Sequence, residues 1–153
     1  MFPAQVSAIL ERLEQAGFAA YAVGGCVRDL LLRRTPGDWD MTTSARPEQT
    51  MALFGNCALP TGLKHGTVTV CSGMNRVETT TFRTDGAYAD HRHPEQVTFT
   101  DSLQEDLSRR DFTVNAMAME LAGRLHDPFH GREDLKNGVL RCVGEPEKRF
   151  SED

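Results

Sequence analysis

Residues 22–43 read Ala-Val-Gly-Gly-Cys-Val-Arg-Asp-Leu-Leu-Leu-Arg-Arg-Thr-Pro-Gly-Asp-Trp-Asp-Met-Thr-Thr. An apolar strand end meets Gly24-Gly25, a short helix follows over residues 26–34, and Pro36-Gly37 turns the chain into a second strand that begins Asp38-Trp39-Asp40. Successive side chains of a strand alternate faces, so Asp38 and Asp40 project together while Trp39 turns to the opposite, buried face. Adjacent carboxylates repel, and a fold tolerates them best with a cation between them. Mg²⁺ suits such a pair, because it takes oxygen ligands and keeps waters and substrate phosphates in its remaining positions. The pattern is half of a phosphoryl-transfer site. Taken alone, Asp-x-Asp also describes two solvated acids at a strand start.

The segment before it tips the balance. Gly24-Gly25 at the start of a helix leaves backbone N–H groups free for a phosphate. Arg28, about one turn in, adds a planar, permanently charged donor. The bland alternatives are a tight strand-to-helix turn for the glycines and a surface salt bridge with Asp29 for Arg28.

The chain of 153 residues suits one domain, and its 39% hydrophobic content supports one core. A net charge of −5 excludes a broad basic platform, so any RNA must be held by local arginines or by other parts of the molecule. Cys26, Cys57, Cys71 and Cys142 form no Cys-x-x-Cys pair, and no signal peptide is evident; they are expected to be reduced, mostly buried thiols of a cytoplasmic protein. No apolar run has the length of a membrane span.

Elsewhere, Val6, Ile9, Leu10 and Leu13 fall at helical spacing within residues 4–16, and Gly17 closes that helix. Residues 18–23 predict a buried strand. Thr43, Ser44 and Pro47 are expected to cap and open a helix over residues 48–54. Residues 67–71 and 76–82 form a predicted hairpin about Ser72-Gly73-Met74-Asn75. Glu78 shares a face with Thr80; it is either a third metal-side carboxylate or a cross-strand partner for a cation. Residues 83–96 are polar and turn-rich, a surface loop in which His91 and His93 lack the companions of a metal site. Strands are predicted over residues 97–100, 116–121 and 139–143, with helices at 102–107 and 132–137 and a turn at 126–131. Residues 109–116, Arg-Arg-Asp-Phe-Thr-Val-Asn-Ala, gather polar groups at one junction. Either an arginine contacts a triphosphate while Asp111 and Asn115 set its geometry, or the arginines are a solvated face and Asn115 a turn residue.

Taken together, these motifs resemble the head of the class II tRNA nucleotidyltransferase and bacterial poly(A) polymerase family. Gly-Gly-Cys-Val-Arg-Asp with Asp38-Trp39-Asp40 resembles its first motif, and Arg109-Arg110-Asp-Phe-Thr-Val-Asn-Ala its second. Asp127-Pro-Phe, Leu140-Arg-Cys-Val-Gly and Arg149-Phe-Ser-Glu-Asp resemble the run into its third, template motif. The resemblance implies an α/β (α+β), polymerase-β-like head with a mixed sheet of about five strands flanked by helices. This catalytic head would span residues 1–143, with residues 144–153 starting a truncated helical neck. It implies Asp38 and Asp40 as catalytic residues and ligands of Mg²⁺. Gly25, Arg28 and Arg110 would contact the incoming CTP or ATP, and Asp153 would read the base edge, with no nucleic-acid template. The partner that the resemblance implies is the 3′ end of tRNA, with neither membrane nor protein partner evident, and the reaction it implies is two-metal transfer of CMP and AMP. The loop at 83–96 resembles the family's flexible loop that serves A addition. An A-adding enzyme, a poly(A) polymerase, or a non-catalytic nucleotide-binding module are the rival readings. The final residues, a helical pattern without a C-cap, lead us to expect a head-domain fragment.

Overall fold

A computed structural model describes residues 2–84 and 97–144. Helix α1 (Ala4–Gln15) leads into strand β1 (Ala20–Val23), helix α2 (Gly25–Leu31), strand β2 (Trp39–Thr43) and helix α3 (Pro47–Phe54). Strands β3 (Ala58–Gly62), β4 (Thr67–Ser72), β5 (Asn75–Thr81) and β6 (Arg83–Thr84) follow, then β7 (Thr98–Phe99) and helix α4 (Leu103–Ser108). A 3₁₀ turn (Thr113–Asn115), strands β8 (Ala118–Met119) and β9 (Leu125–His126), and helix α5 (Gly131–Lys136) complete the described chain.

The seven-stranded sheet runs β3-β4-β5-β2-β1-β8-β9, and β6 and β7 make a separate two-stranded ribbon. Only β2 and β5 pair in parallel among these strands; the other ladders are antiparallel. The sheet is mixed and flanked by helices, as expected, with seven strands rather than about five.

Alternation along the strands sorts the sheet into two faces. One face presents Ala20, Ala22, Trp39, Met41, Val68, Val70 and Val77 to the apolar stripe of α1, Val6, Ile9, Leu10 and Leu13, and all of these are buried. Burying one such aliphatic side chain is worth about 1.5–3 kcal/mol, so this layer sets the rigidity of the strands that carry the polar face. Asp40, Thr42 and Glu78 lie on that other face, in register with Glu78, Thr80 and Asp40 of the parallel partner.

Several expectations need correction. Residues 139–143 do not form a strand. Gly138 turns the chain with φ +68°, and only Cys142 bridges to Phe112; Val139 and Leu140 are exposed. That segment is instead strapped to the second motif, with Thr113 N donating to Arg141 O at 2.9 Å and Val143 N to Asp111 O at 2.9 Å. Conversely β3 escaped sequence reading, because Pro60 interrupts its pattern and it lies on the sheet edge, where a missing N–H is tolerated. His126, placed in a turn by its sequence, pairs with Ala118 in the edge strand β9. Thr43 and Ser44 do not cap α3. Their hydroxyls bind Ala19 O and Ala19 N, while Gln49 Oε1 accepts from Arg46 N at 2.8 Å. All four cysteines are free, but only Cys26 and Cys142 are buried, and Cys57 is exposed. Among the described residues no helix is long and apolar enough to cross a membrane.

Candidate active site

Trp39 anchors the start of β2. Its ring is 7% exposed and meets Phe2 edge-on, 5.7 Å between centroids. With Trp39 pinned to the core face, Asp40 must project to the other side. There Asp38, Asp40 and Glu78 line one groove of about 500 Å³ with Thr61, Thr69 and Arg76. On the opposite flank a second groove, about 420 Å³, is lined by Gly24, Gly25, Asp40, Arg109, Arg110, Asp111 and Asn115. Asp40 is the residue common to both grooves. A larger cavity of about 810 Å³, lined among others by Leu31, Leu32, Glu133 and Lys136, contains none of the predicted site residues.

The second groove is built on the strand-to-helix turn. Gly24 has φ +82° and ψ −139°, a conformation that excludes side chains, and Gly25 opens α2. A Cβ on Gly24 would lie 3.8 Å from Arg110 Nη1, so that guanidinium passes directly over the turn. Arg28 folds back over Gly25, where its Nη2 is 3.3 Å from a notional Cβ. Its Nη1 donates to Asn115 Oδ1 at 3.0 Å, joining the first motif to the second. The bland alternative for Arg28 is also present, since Nη2 contacts Asp29 Oδ1 at 3.5 Å. Asp111 Oδ1 accepts from Phe112 N at 2.7 Å and lines the same groove.

The arginines of the second motif are not a solvated face. Side chains of Arg109 and Arg110 are only 15% and 19% exposed, and both pair with Asp106, which is wholly buried. Sequence reading missed Asp106. The signal was its position three and four residues before the arginine pair in a helical pattern, the spacing at which side chains meet. Burial pushes the Arg110 guanidinium below its ordinary value, and Asp106 opposes that shift.

Electrostatics set Asp40 apart. Burial raises its carboxyl above the ordinary range, neighbouring Glu78 and Asp38 add to the rise, and Arg110 counters it. This is the behaviour of an acid surrounded by more negative than positive charge, and a divalent cation relieves it. Glu78 sits beside Asp40 in register and lines the same groove. No group of three or more metal-ligating side chains is ready-made among the described residues. The donor set therefore suits an ion that draws its other ligands from water and substrate, as Mg²⁺ does. The opposite groove fits an anion, because Arg110 Nε is buried with no hydrogen-bond partner among the described residues. Cys26, within the first motif, donates to Val23 O at 3.3 Å, and burial raises its thiol, which makes it an inert packing group.

Asp38, Asp40, Gly25 and Arg110 thus line two adjoining grooves, while Arg28 lines neither and packs beside them against Gly25 and Asn115. Asp153, the histidines at 91 and 93, and the loop beyond Thr84 lie outside the described residues, as do residues 145–153 of the expected neck.

Residues 20–141 match the family model described as the poly A polymerase head domain. A CCA-adding enzyme of Lactobacillus helveticus (strain DPC 4571) is 57% identical over 145 residues, which is 95% of this chain and 36% of the relative. One of Geobacillus stearothermophilus is 55% identical over 95% of this chain and 36% of its own length. Among solved structures, the Bacillus stearothermophilus CCA-adding enzyme in complex with CTP superposes with a TM-score of 0.86 and 50% identity. It is covered over 100% of this chain and 37% of that one. A tRNA nucleotidyltransferase complexed with a primer tRNA and an incoming ATP analog gives a TM-score of 0.70 at 32% identity, covering 89% of this chain and 39% of that one. The chain spans little more than a third of the length of these relatives.

Proposed function

The chain belongs to the poly(A) polymerase head-domain family, and on that premise we propose that it is the catalytic head of a cytoplasmic CCA-adding tRNA nucleotidyltransferase. Its substrates are CTP, ATP and the 3′ end of tRNA, and no nucleic-acid template takes part. The observation that carries this reading is the place of Asp40, shared between an acidic groove and a glycine-floored one lined by Arg109 and Arg110.

The division of labour follows from the charges. The nucleotide triphosphate enters the glycine-floored groove, where the Gly24-Gly25 turn lets its phosphates approach the backbone beside Arg110, with Arg28 folded over Gly25. Asn115 holds Arg28 in place, so the guanidinium is oriented before substrate arrives. Asp38 and Asp40, which line one groove with Glu78, would hold Mg²⁺. When bound, Mg²⁺ neutralises charge on the phosphates and favours the ionised form of an attacking hydroxyl. The tRNA 3′ oxygen forms a bond to the α-phosphorus, the bond to the bridging oxygen of the β-phosphate breaks, and pyrophosphate departs. Positioning and charge stabilisation dominate the rate in such transfers. Asp153, by the family pattern, reads the base edge.

Asp38→Ala and Asp40→Ala are each expected to abolish Mg²⁺-dependent CMP incorporation while the circular dichroism spectrum stays that of the wild type. Either variant retaining full incorporation refutes the metal assignment.

A further inference from the structure

We propose that Asp106 is the positioning residue for Arg110: its buried carboxylate ties that guanidinium to the strand bearing Asp40, and so aims it at the triphosphate. The proposal rests on the nucleotide-site reading above and extends it to a group that does not face the groove. Asp106 Oδ2 accepts from Arg110 Nη2 at 3.2 Å and from Thr42 Oγ1 at 3.2 Å. Oδ1 accepts from Arg83 N at 3.0 Å and lies 3.5 Å from Arg109 Nε. Thr42 stands two residues beyond Asp40 on the same face of β2. One carboxylate therefore joins three pieces of chain: the strand of the metal-side acids, the start of β6, and the arginine over Gly24. It is completely buried, and its polar partners among the described residues are all donors or cations, so it acts on the groove through them. A buried, multiply bonded acid that grips one edge of a guanidinium restricts how the other edge can point.

The test is a double-mutant cycle in the full chain with inorganic tripolyphosphate and CTP as probes, read by titration calorimetry beside a melting curve for each variant. Asp106→Asn keeps the shape and removes the charge. If Asp106 acts through Arg110, Asp106→Asn weakens tripolyphosphate binding about 10–100-fold, the usual cost of losing an orienting partner. In an Arg110→Ala background the same substitution then adds little further loss. Equal losses in both backgrounds, or wild-type affinity in folded Asp106→Asn, overturn the proposal. Should Asp106→Asn fail to fold, Thr42→Val replaces it, leaving every charge in place while removing the hydroxyl that steadies Oδ2. A several-fold, Arg110-dependent loss then supports the proposal, and unchanged affinity overturns it. Failure of the wild type to bind either probe overturns the nucleotide-site reading first, an outcome distinct from loss at Arg110 with none at Asp106.

Discussion

At the scale of single residues, the site is an arrangement of charge that the metal-free protein tolerates at a cost. Asp40 carries that cost, its carboxyl raised by burial and then by Glu78 and Asp38 against the pull of Arg110. An acid raised in the folded state keeps its proton there while the unfolded chain has already lost it. Stability thus falls as pH rises from the ordinary carboxylate value of 3.8 through the raised value. Metal-free Asp40→Asn should therefore melt higher than the wild type at pH 7, and the gap should close toward acid pH. Melting curves in a chelator across pH check this, and parallel curves contradict it. The Asp38/Asp40 pair, the Gly24-Gly25 turn and Arg28 stood out in the sequence through short-range spacing, whereas Arg110 was singled out by the family resemblance, and β2 itself begins at Trp39 with Asp38 just before it. Asp106 did not stand out. Its importance comes from Thr42 and Arg83, which lie 64 and 23 residues away in sequence, and from a burial that charged composition argues against.

Elements position these residues by close backbone contact as well as by side-chain packing. Gly131, at the start of α5, is the clearest case: a Cβ there would stand 2.1 Å from Thr113 O and 2.7 Å from Thr113 C. The contact presses α5 against the 3₁₀ turn that ends in Asn115, the residue gripping Arg28. Gly131→Ala must push the two apart. Overpacking of this kind costs about 1–3 kcal/mol, and the displacement should also raise KM for CTP by loosening Arg28. Urea denaturation and steady-state kinetics read both effects; an unchanged midpoint and KM contradict the account. Helical apolar spacing made α1 legible from sequence, an apolar run β1, and β-rich composition about the Ser72–Asn75 turn β4 and β5. The edges of the fold were not, because β3 is broken by Pro60 and residues 139–143 have the composition of a strand without a neighbour to pair along their length. Pairing is a tertiary property, and an apolar run does not report it.

For the whole molecule, charge and length limit what this head does by itself. A net charge of −5 gives the chain no overall attraction for a polyanion, so any contact with one depends on local arginines such as those that line the grooves. Its relatives are nearly three times as long, given that it covers 36–37% of them. The fold class was readable from the order of the motifs, whereas the union of two grooves at Asp40 required the sheet register. The central claim is that this union performs CMP and AMP transfer to tRNA. Its most direct test is incorporation of labelled CMP and AMP by the full-length protein into tRNA lacking its 3′-CCA, with Mg²⁺, followed by sequencing of the product ends. The account predicts the addition of C, C and A, then arrest. Long A tails or addition of A alone would contradict the CCA assignment, and bound nucleotide with no incorporation into tRNA would contradict the claim altogether.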